Sequence, residues 1–384
     1  MSGAVLITGA RAPVALDLAR AFRAAGYKVH LVDCVTPWAA RGLRPPVPIH
    51  LVPPPRGGFQ QFRAGMAGLV RRLDAIQVIP TCEEVFWLAE AAARDGYAEL
   101  LFAPPRPVLR QLHSKAEFPA YAARLGLDAP DTQVVDRAII PADVFAPLHD
   151  VVLKPEFSRF ATHTVVSPSV GDLEALRPTA RRRSVIQRRI IGEEICSWSA
   201  VRSGRVVAYA AYRPRWRHGR SAAFQMEAVD IPAVRAITDR IARATAMTGH
   251  LSFDAIVDSE GRAFAIECNP RAVSGLHLFD ADPKLADAML GGAVVPPVDA
   301  GTLRHMAPAM ALLGLPAALR QRRLRQFLSD WRAGRDVIDR EGHGLVTLGA
   351  LADAGRFAGQ ALRMGRSPAA ATTTGIEWNG EDMA

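Results

Sequence analysis

Ser252–Leu278, SFDAIVDSEGRAFAIECNPRAVSGLHL, is the stretch on which the reading of this chain turns. Phe253 to Val257 is β-branched and apolar around one acid, Asp254. Asp258-Ser259-Glu260-Gly261 is a turn cluster, and Ala263 to Cys268 resumes the apolar run, so the spacing predicts a β-hairpin. Side chains alternate faces along a strand, which turns Glu267 and Asn269 the same way. Asp254 on the paired strand joins them in an oxygen-rich nest, with Arg271 next in line. Such hard oxygen ligands suit Mg²⁺ held together with a polyphosphate, because Mg²⁺ takes few protein carboxylates and completes its octahedron with substrate oxygens and water. The plainer alternative is a hairpin with solvated acids, but an E-x-N-x-R run is a poor way to leave a core strand.

Working outward, a chain of 384 residues has room for two or three domains. Its 49% apolar and 22% charged content is that of a soluble globular protein. The opening MSGAVLITGA has no cationic leader and reads as a first strand, so no secretory signal is expected. The longest apolar run, Met306 to Leu319, is too short to span a membrane and contains Pro308 and Pro316. Cys34, Cys82, Cys196 and Cys268 are far apart with no C-x-x-C pair. This argues against a zinc site or a disulfide framework and for a reducing cytoplasm. The net charge of +9 is carried by arginines that are scattered or in short clusters with little aromatic interleaving, so solvated faces are expected rather than nucleic-acid binding. The only lysines are Lys28, Lys115, Lys154 and Lys284, which gives weight to any lysine at a motif position.

The N-terminal third opens as β-α-β. Ala4 to Thr8 is a strand ending at Gly9, Pro13 to Ala25 has helical spacing, and Tyr27 to Val32 is a second strand with Asp33 at its end. The turn Gly9-Ala10-Arg11-Ala12-Pro13 lacks G-x-G-x-x-G and puts a bulky arginine where a backbone would approach a pyrophosphate, so a nicotinamide or flavin cofactor is not expected. Phe59 to Leu73 is helical and Ala75 to Ile79 a buried strand. Thr81 and Glu84 have capping-box spacing before a helix from Val85 to Arg94, and Glu83, at a strand C-terminus, is placed where ligands collect.

In the middle of the chain, Ser114 reads as the cap of a helix carrying Lys115. Asp150 to Pro155 is a strand with Lys154 at its end, either a snorkelling edge lysine or a cation gripping phosphate oxygens. Glu156 to Thr164 follows as a hairpin tip. Ser184 to Glu194 reads strand, break at Gly192, and strand again through Tyr209.

That order of pieces, ending in Asp…Glu-x-Asn-x-Arg, resembles the ATP-grasp superfamily over roughly Leu112 to Leu278. The resemblance is to the carboxylate–amine ligases, of the D-alanine–D-alanine ligase and carbamoyl phosphate synthetase type. It implies an α/β protein: a Rossmann-like pre-ATP-grasp domain over 1–110, a lid subdomain over 111–186, a large subdomain over 187–300 and a mainly helical extension over 301–384. It implies ATP as the nucleotide and Mg²⁺ as the metal, with Mn²⁺ able to substitute. Lys115 and Lys154 would contact phosphates, and Arg188 to Ile190 would be the hinge reading adenine through main-chain groups. Gln187 would meet the adenine amino group and Glu194 the ribose. Asp254, Glu267 and Asn269 would bind the metal, and Arg271 would stabilise the phosphoryl group in transfer.

The sequence departs from that pattern where the lid loop, Glu156 to Thr164, contains no glycine. Ser158, Thr162, His163 and Thr164 would have to donate side-chain bonds instead of bare amides. The hinge is also unusually basic at Arg188-Arg189. Beyond Arg271, the loop with Ser274, Gly275 and His277 reads as the acceptor side, His277 either contacting a carboxylate or accepting the proton of an incoming amine. Among Arg213, Arg215, Arg217 and Arg220 one is expected to grip an anionic substrate, with Arg213 and Arg220 the chosen candidates. From about Gly301 the chain reads as a helical cap, for covering the substrate or forming a homodimer, with Ile376 and Trp378 docking the tail on the body.

The function expected is an ATP-dependent ligase joining a small carboxylic acid, through its acylphosphate, to an amine such as an amino acid, with no nucleic acid or membrane as partner. Bicarbonate activation is one rival, and nucleotide binding without turnover is another.

Overall fold

The computed structural model describes residues 3–159, 163–217 and 223–383. Three sheets organise it, and the cleft lies where they meet. The first is parallel, in the order β3-β2-β1-β4, from β1 (Ala4–Thr8), β2 (Lys28–Asp33), β3 (Ile49–Leu51) and β4 (Ala75–Ile79). Every residue of β1 is buried, as befits a central strand covered on both faces. Helix α1 (Pro13–Ala24) starts on Pro13, whose fixed φ suits a first turn. The preceding Arg11 bonds Asp33 through Nε at 3.0 Å and through its terminal nitrogen at 2.5 Å, so the acid at the end of β2 is held by an arginine from the β1 turn. The expected capping box at Thr81 is half made. Glu84 Oε1 accepts from the Thr81 amide at 3.0 Å, but the Thr81 hydroxyl donates to the Thr8 carbonyl, tying the loop after β4 to the end of β1.

The second sheet, β5-β8-β6-β7, is antiparallel and small: β5 (Thr132–Val135), β6 (Val151–Pro155), β7 (Val165–Val166) and β8 (Ser184–Arg188). The third has seven strands, β13-β12-β9-β10-β11-β14-β15, from β9 (Glu193–Arg202), β10 (Arg205–Pro214), β11 (Gln225–Val229), β12 (Gly249–Val257), β13 (Ala263–Asn269), β14 (Leu303–His305) and β15 (Arg335–Asp336). Its last two strands come from beyond residue 300. The C-terminal region is therefore not helical alone: β14 and β15 continue the large sheet's edge.

Between β8 and β9, Gly192 lies against the end of β12. A Cβ there would sit 2.2 Å from the Val257 carbonyl oxygen, so only glycine permits the approach. The tail docks as its apolar residues predict. Trp378 is fully buried and stacks on Phe86 at 4.7 Å between centroids, while Phe157 meets it in an edge-type contact at 4.9 Å. Trp87 donates its indole N–H to the Ile376 carbonyl at 3.0 Å. The tail thus joins the first sheet's helix layer to the loop after β6. Among the described residues no helix is long and apolar enough to cross a membrane, and all four cysteines are free thiols.

Candidate active site

The three sheets and the tail enclose a cleft of about 830 Å³, in the size range of small-ligand sites. Its acidic end is built on the β12–β13 pair. Asp254 lies directly opposite Glu267, and Ser252 opposite Asn269, so strand register alone brings the two acids and the amide to the cleft. Glu194, at the start of β9, reaches the same cleft. Burial raises the Asp254 carboxyl above the ordinary range, and the neighbouring charges of Glu267 and Glu194 push it further. Glu267 goes the other way: burial opposes its charge, but Lys115 and Lys154 more than compensate. Two carboxylates and an amide oxygen crowded together, one of them discouraged from ionising, form a hard-oxygen set that a divalent cation would relieve.

The lysines enter from two directions. Lys154 ends β6, almost wholly buried. Its pKa falls from 10.5 to about 8, first through burial, with Glu267 opposing and Lys115 adding repulsion. Lys115 Nζ pairs with Glu267 Oε2 at 3.1 Å and donates to the Ser158 carbonyl at 3.1 Å. It is not a helix residue, as the sequence suggested. A helix, Arg106–His113, ends just before it, and Ser114 caps the intervening turn by accepting from the Glu117 amide at 3.1 Å. Ser158 meets the site through its carbonyl, in a segment that supplies no glycine amides. Thr162 lies outside the described residues.

At the opposite end, Gln187 on β8 donates Nε2 to the Thr132 hydroxyl at 3.1 Å, leaving Oε1 buried with no partner. An unpaired buried acceptor is costly, and an exocyclic amino group would satisfy it. Arg188 and Ile190 continue the cleft wall, the former with its guanidinium on Asp131 at 3.0 Å. Glu194 is held by Arg217 in a bidentate pair, both contacts 2.9 Å.

Arg271 sits where these groups converge. Its Nε donates to Glu83 Oε1 at 3.0 Å and its terminal nitrogen to Asn269 Oδ1 at 3.4 Å. Glu83 Oε2 accepts from Arg159, at 3.1 Å, and Arg159 also donates to the Trp378 carbonyl at 2.8 Å. Burial opposes charge on Glu83, yet Arg159, His113 and Arg271 hold its pKa down to about 2. Glu83, given only a general ligand-facing role from sequence, thus links the first sheet, the segment after β6 and the loop after β13.

The structure does not bring every candidate to this cleft. Arg213 lies on β10, opposite Glu227 in the β10–β11 register, and pairs with Glu193 and Glu227. Arg215 is likewise taken by Glu227 and Asp330. Of the described arginines in that cluster, Arg217 lines the cleft; Arg220 lies outside the described residues. Ser274 lines the cleft, but Gly275 is a packing position, where a Cβ would come within 2.8 Å of the Trp198 Cβ. His277 belongs to the wall but is fully buried, with Nδ1 2.7 Å from Asp17 Oδ2. Thr372 and Thr373 of the tail also line the cleft, which no sequence signal announced.

No protein-family model and no curated protein sequence matches the chain. Solved structures do. The N5-carboxyaminoimidazole synthetase of Staphylococcus aureus complexed with ADP superposes with a TM-score of 0.63 at 11% identity, covering 84% of this chain and 87% of that one. The L-amino acid ligase of Bacillus licheniformis gives 0.54 at 16% identity, covering 72% and 68%. The biotin carboxylase domain dimer of Hydrogenobacter thermophilus 2-oxoglutarate carboxylase, in complex with MgADP, ADP and bicarbonate, gives 0.59 at 12% identity, covering 78% and 73%. These neighbours are ATP-grasp proteins, and with the sheet order and cleft described above they show that this chain has the ATP-grasp fold.

Proposed function

We propose that the protein is an ATP-dependent carboxylate–amine ligase, working with Mg²⁺ in the cytoplasm on a small acid and an amine of amino-acid type. The observation that carries this reading is the convergence of Lys115, Lys154, Asp254, Glu267, Asn269 and Arg271 at one end of the cleft, with the unpaired Gln187 oxygen at the other. That spacing of charge suits a nucleotide whose base lies near Gln187 and whose phosphates point to Arg271. Lys115 and Lys154 would hold the phosphates, Glu194 the ribose hydroxyls, and Asp254, Glu267 and Asn269 the metal. Bound there, Mg²⁺ would neutralise charge on the phosphate oxygens.

In the first step a substrate carboxylate oxygen bonds to the γ-phosphorus while the bond from that phosphorus to the ADP oxygen breaks. In the second the amine nitrogen bonds to the carbonyl carbon, the carbon–oxygen bond to phosphate breaks, and the nitrogen loses a proton. Arg271, fixed by Glu83, is oriented before the charge develops, which is the largest contribution a protein makes to phosphoryl transfer. Ser274 and the tail threonines bound the acceptor side.

The test is an ADP-release screen over carboxylic acids, with hydroxylamine or pooled L-amino acids as acceptor. Hydroxamate formation with a particular acid supports the reading; ADP release from no acid overturns it. The carboxylase-type neighbour favours bicarbonate activation as the second reading. Bicarbonate-stimulated ADP release without any organic acid would select that reading.

A further inference from the structure

Asp17, inside α1, is a buried acid with three cationic or polar claims on it. Arg340 grips it bidentately, Nε to Oδ1 at 2.7 Å and the terminal nitrogen to Oδ2 at 2.8 Å. Arg20 reaches Oδ1 at 3.1 Å, and His277 Nδ1 reaches Oδ2 at 2.7 Å. Burial opposes the charge, but the bonds from Arg340 and His277 hold the carboxyl far below the ordinary range. An ionised carboxylate only accepts, so Nδ1 carries the ring proton. Arg340 also donates to the His277 carbonyl at 3.0 Å, fixing the backbone on the same side. In the neutral ring Nε2 is a lone-pair acceptor, and it is buried with no partner. His277 is a residue of the cleft wall, together with Ser274 and Arg271. A structural histidine of this kind would normally find a donor for that nitrogen.

We propose, resting on the ligase reading above, that Asp17 and Arg340 are positioning residues that fix the His277 ring with its Nδ1–H on Asp17 and leave Nε2 without a protein partner, and that Nε2 takes the proton lost by the incoming amine. The first sheet's helix, the loop after β13 and the C-terminal region would then each contribute one residue to a single proton-accepting unit. The arrangement decides between the two roles the sequence left open for His277. A lone pair repels a carboxylate and attracts an N–H, so the acceptor meets His277 as an amine. In the amide-forming step the nitrogen–carbon bond forms, phosphate departs with the carbon–oxygen bonding pair, and the nitrogen's proton moves to Nε2. Glutamine or asparagine amides would offer no such basicity.

The experiment combines spectra of the protein alone with acceptor competition. In ¹⁵N-histidine spectra of the wild-type protein, His277 is expected as the Nδ1–H form. In Asp17→Asn the side-chain amide donates to Nδ1 and the proton moves to Nε2, the tautomer change known to cripple a positioned imidazole. Because Asp17→Asn removes charge from a buried ion pair and can unfold the chain, His277→Asn is the second variant. Its amide keeps a donor to Asp17 and deletes the distal acceptor.

With an acid found in the screen, both variants should lose about 10²–10⁴-fold in amide formation with pooled L-amino acids, the range for a removed acid–base group. Both should lose much less in hydroxamate formation, because the weakly basic hydroxylamine nitrogen, once bonded to the carbonyl carbon, is acidic enough to give its proton to water. Equal loss with both acceptors, or loss with neither, overturns the proposal. So does a wild-type spectrum in the Nε2–H form. If no acid releases ADP, the ligase reading fails by itself, while the tautomer spectra still judge the Asp17–His277 arrangement.

Discussion

Replacing Lys154 with methionine should make the protein more stable and less able to bind nucleotide. The ammonium is buried at the end of β6, and its pKa drops from 10.5 to about 8. That difference corresponds to about 3 kcal/mol by which the fold disfavours the charged side chain. The sign follows from proton counting: between pH 8 and pH 10.5 the unfolded chain binds a proton the folded one has lost, so stability rises with pH there. Below about pH 8 both states are protonated and the destabilisation is complete. Methionine fills a similar space without charge, so at neutral pH Lys154→Met should gain about 1–3 kcal/mol, the lower end allowing for water reaching the cleft.

Urea titrations at neutral pH and above pH 10.5 measure this directly; the gain should vanish at the higher pH. The same titrations with MgATP read the function. Wild type should gain about 2.7 kcal/mol at a hundredfold excess over its dissociation constant, and the variant should lose most of that shift. A variant less stable than wild type at neutral pH, or one keeping the MgATP shift, would refute the assignment of Lys154 as a strained phosphate-binding cation.

Glu267→Gln should raise the Mg²⁺ concentration needed for MgADP binding by roughly tenfold or more, since a charge-assisted contact contributes about 1.5–3 kcal/mol; calorimetry over a Mg²⁺ series measures it. Because Asp254 is raised by burial and by Glu267 and Glu194, Mg²⁺ must displace its proton at mildly acidic pH. Metal affinity should therefore climb with pH, and titrations in buffers of different ionisation enthalpy should show proton release that shrinks in Glu194→Gln. Gln187→Met removes the acceptor at the far end of the cleft and should weaken ATP by about 1 kcal/mol, a factor near five, read by competition with a fluorescent nucleotide. Trp378→Ala should cost about 3–5 kcal/mol in thermal or urea unfolding, as for other buried aromatic truncations.

The legible parts of the sequence were those governed by short-range periodicity. Asp254, Glu267 and Asn269 could be brought together because a two-residue repeat and one turn cluster specify a hairpin, and the observed register pairs them. Lys154 stood out because a buried strand rarely ends in lysine. Lys115 reads as helical from sequence because the preceding Arg106–His113 helix, entered through Pro105, leaves only a short turn before the next helix at Phe118. Arg213 does not serve as the substrate-gripping arginine the sequence offers, because β10 runs through Pro214 and cross-strand Glu227 and Glu193 take its charge. Asp17 carries a local signal, an acid inside a helix turn of Val14, Ala15, Leu16 and Leu18, all buried. Its partners His277 and Arg340 are too distant in sequence for any local pattern to connect them.

The docking of Trp378 against Phe86 and Phe157, and the Arg159 bonds to the Trp378 carbonyl and Glu83, impose an order on biosynthesis. Domains generally fold as they emerge from the ribosome, and the first sheet can close early, since all its strands lie before residue 80. The cleft cannot. A nascent chain that has not yet released the segment around Trp378 lacks the wedge that fastens the segment after β6 beside Arg271. Until then the cleft also lacks Thr372 and Thr373 from its wall.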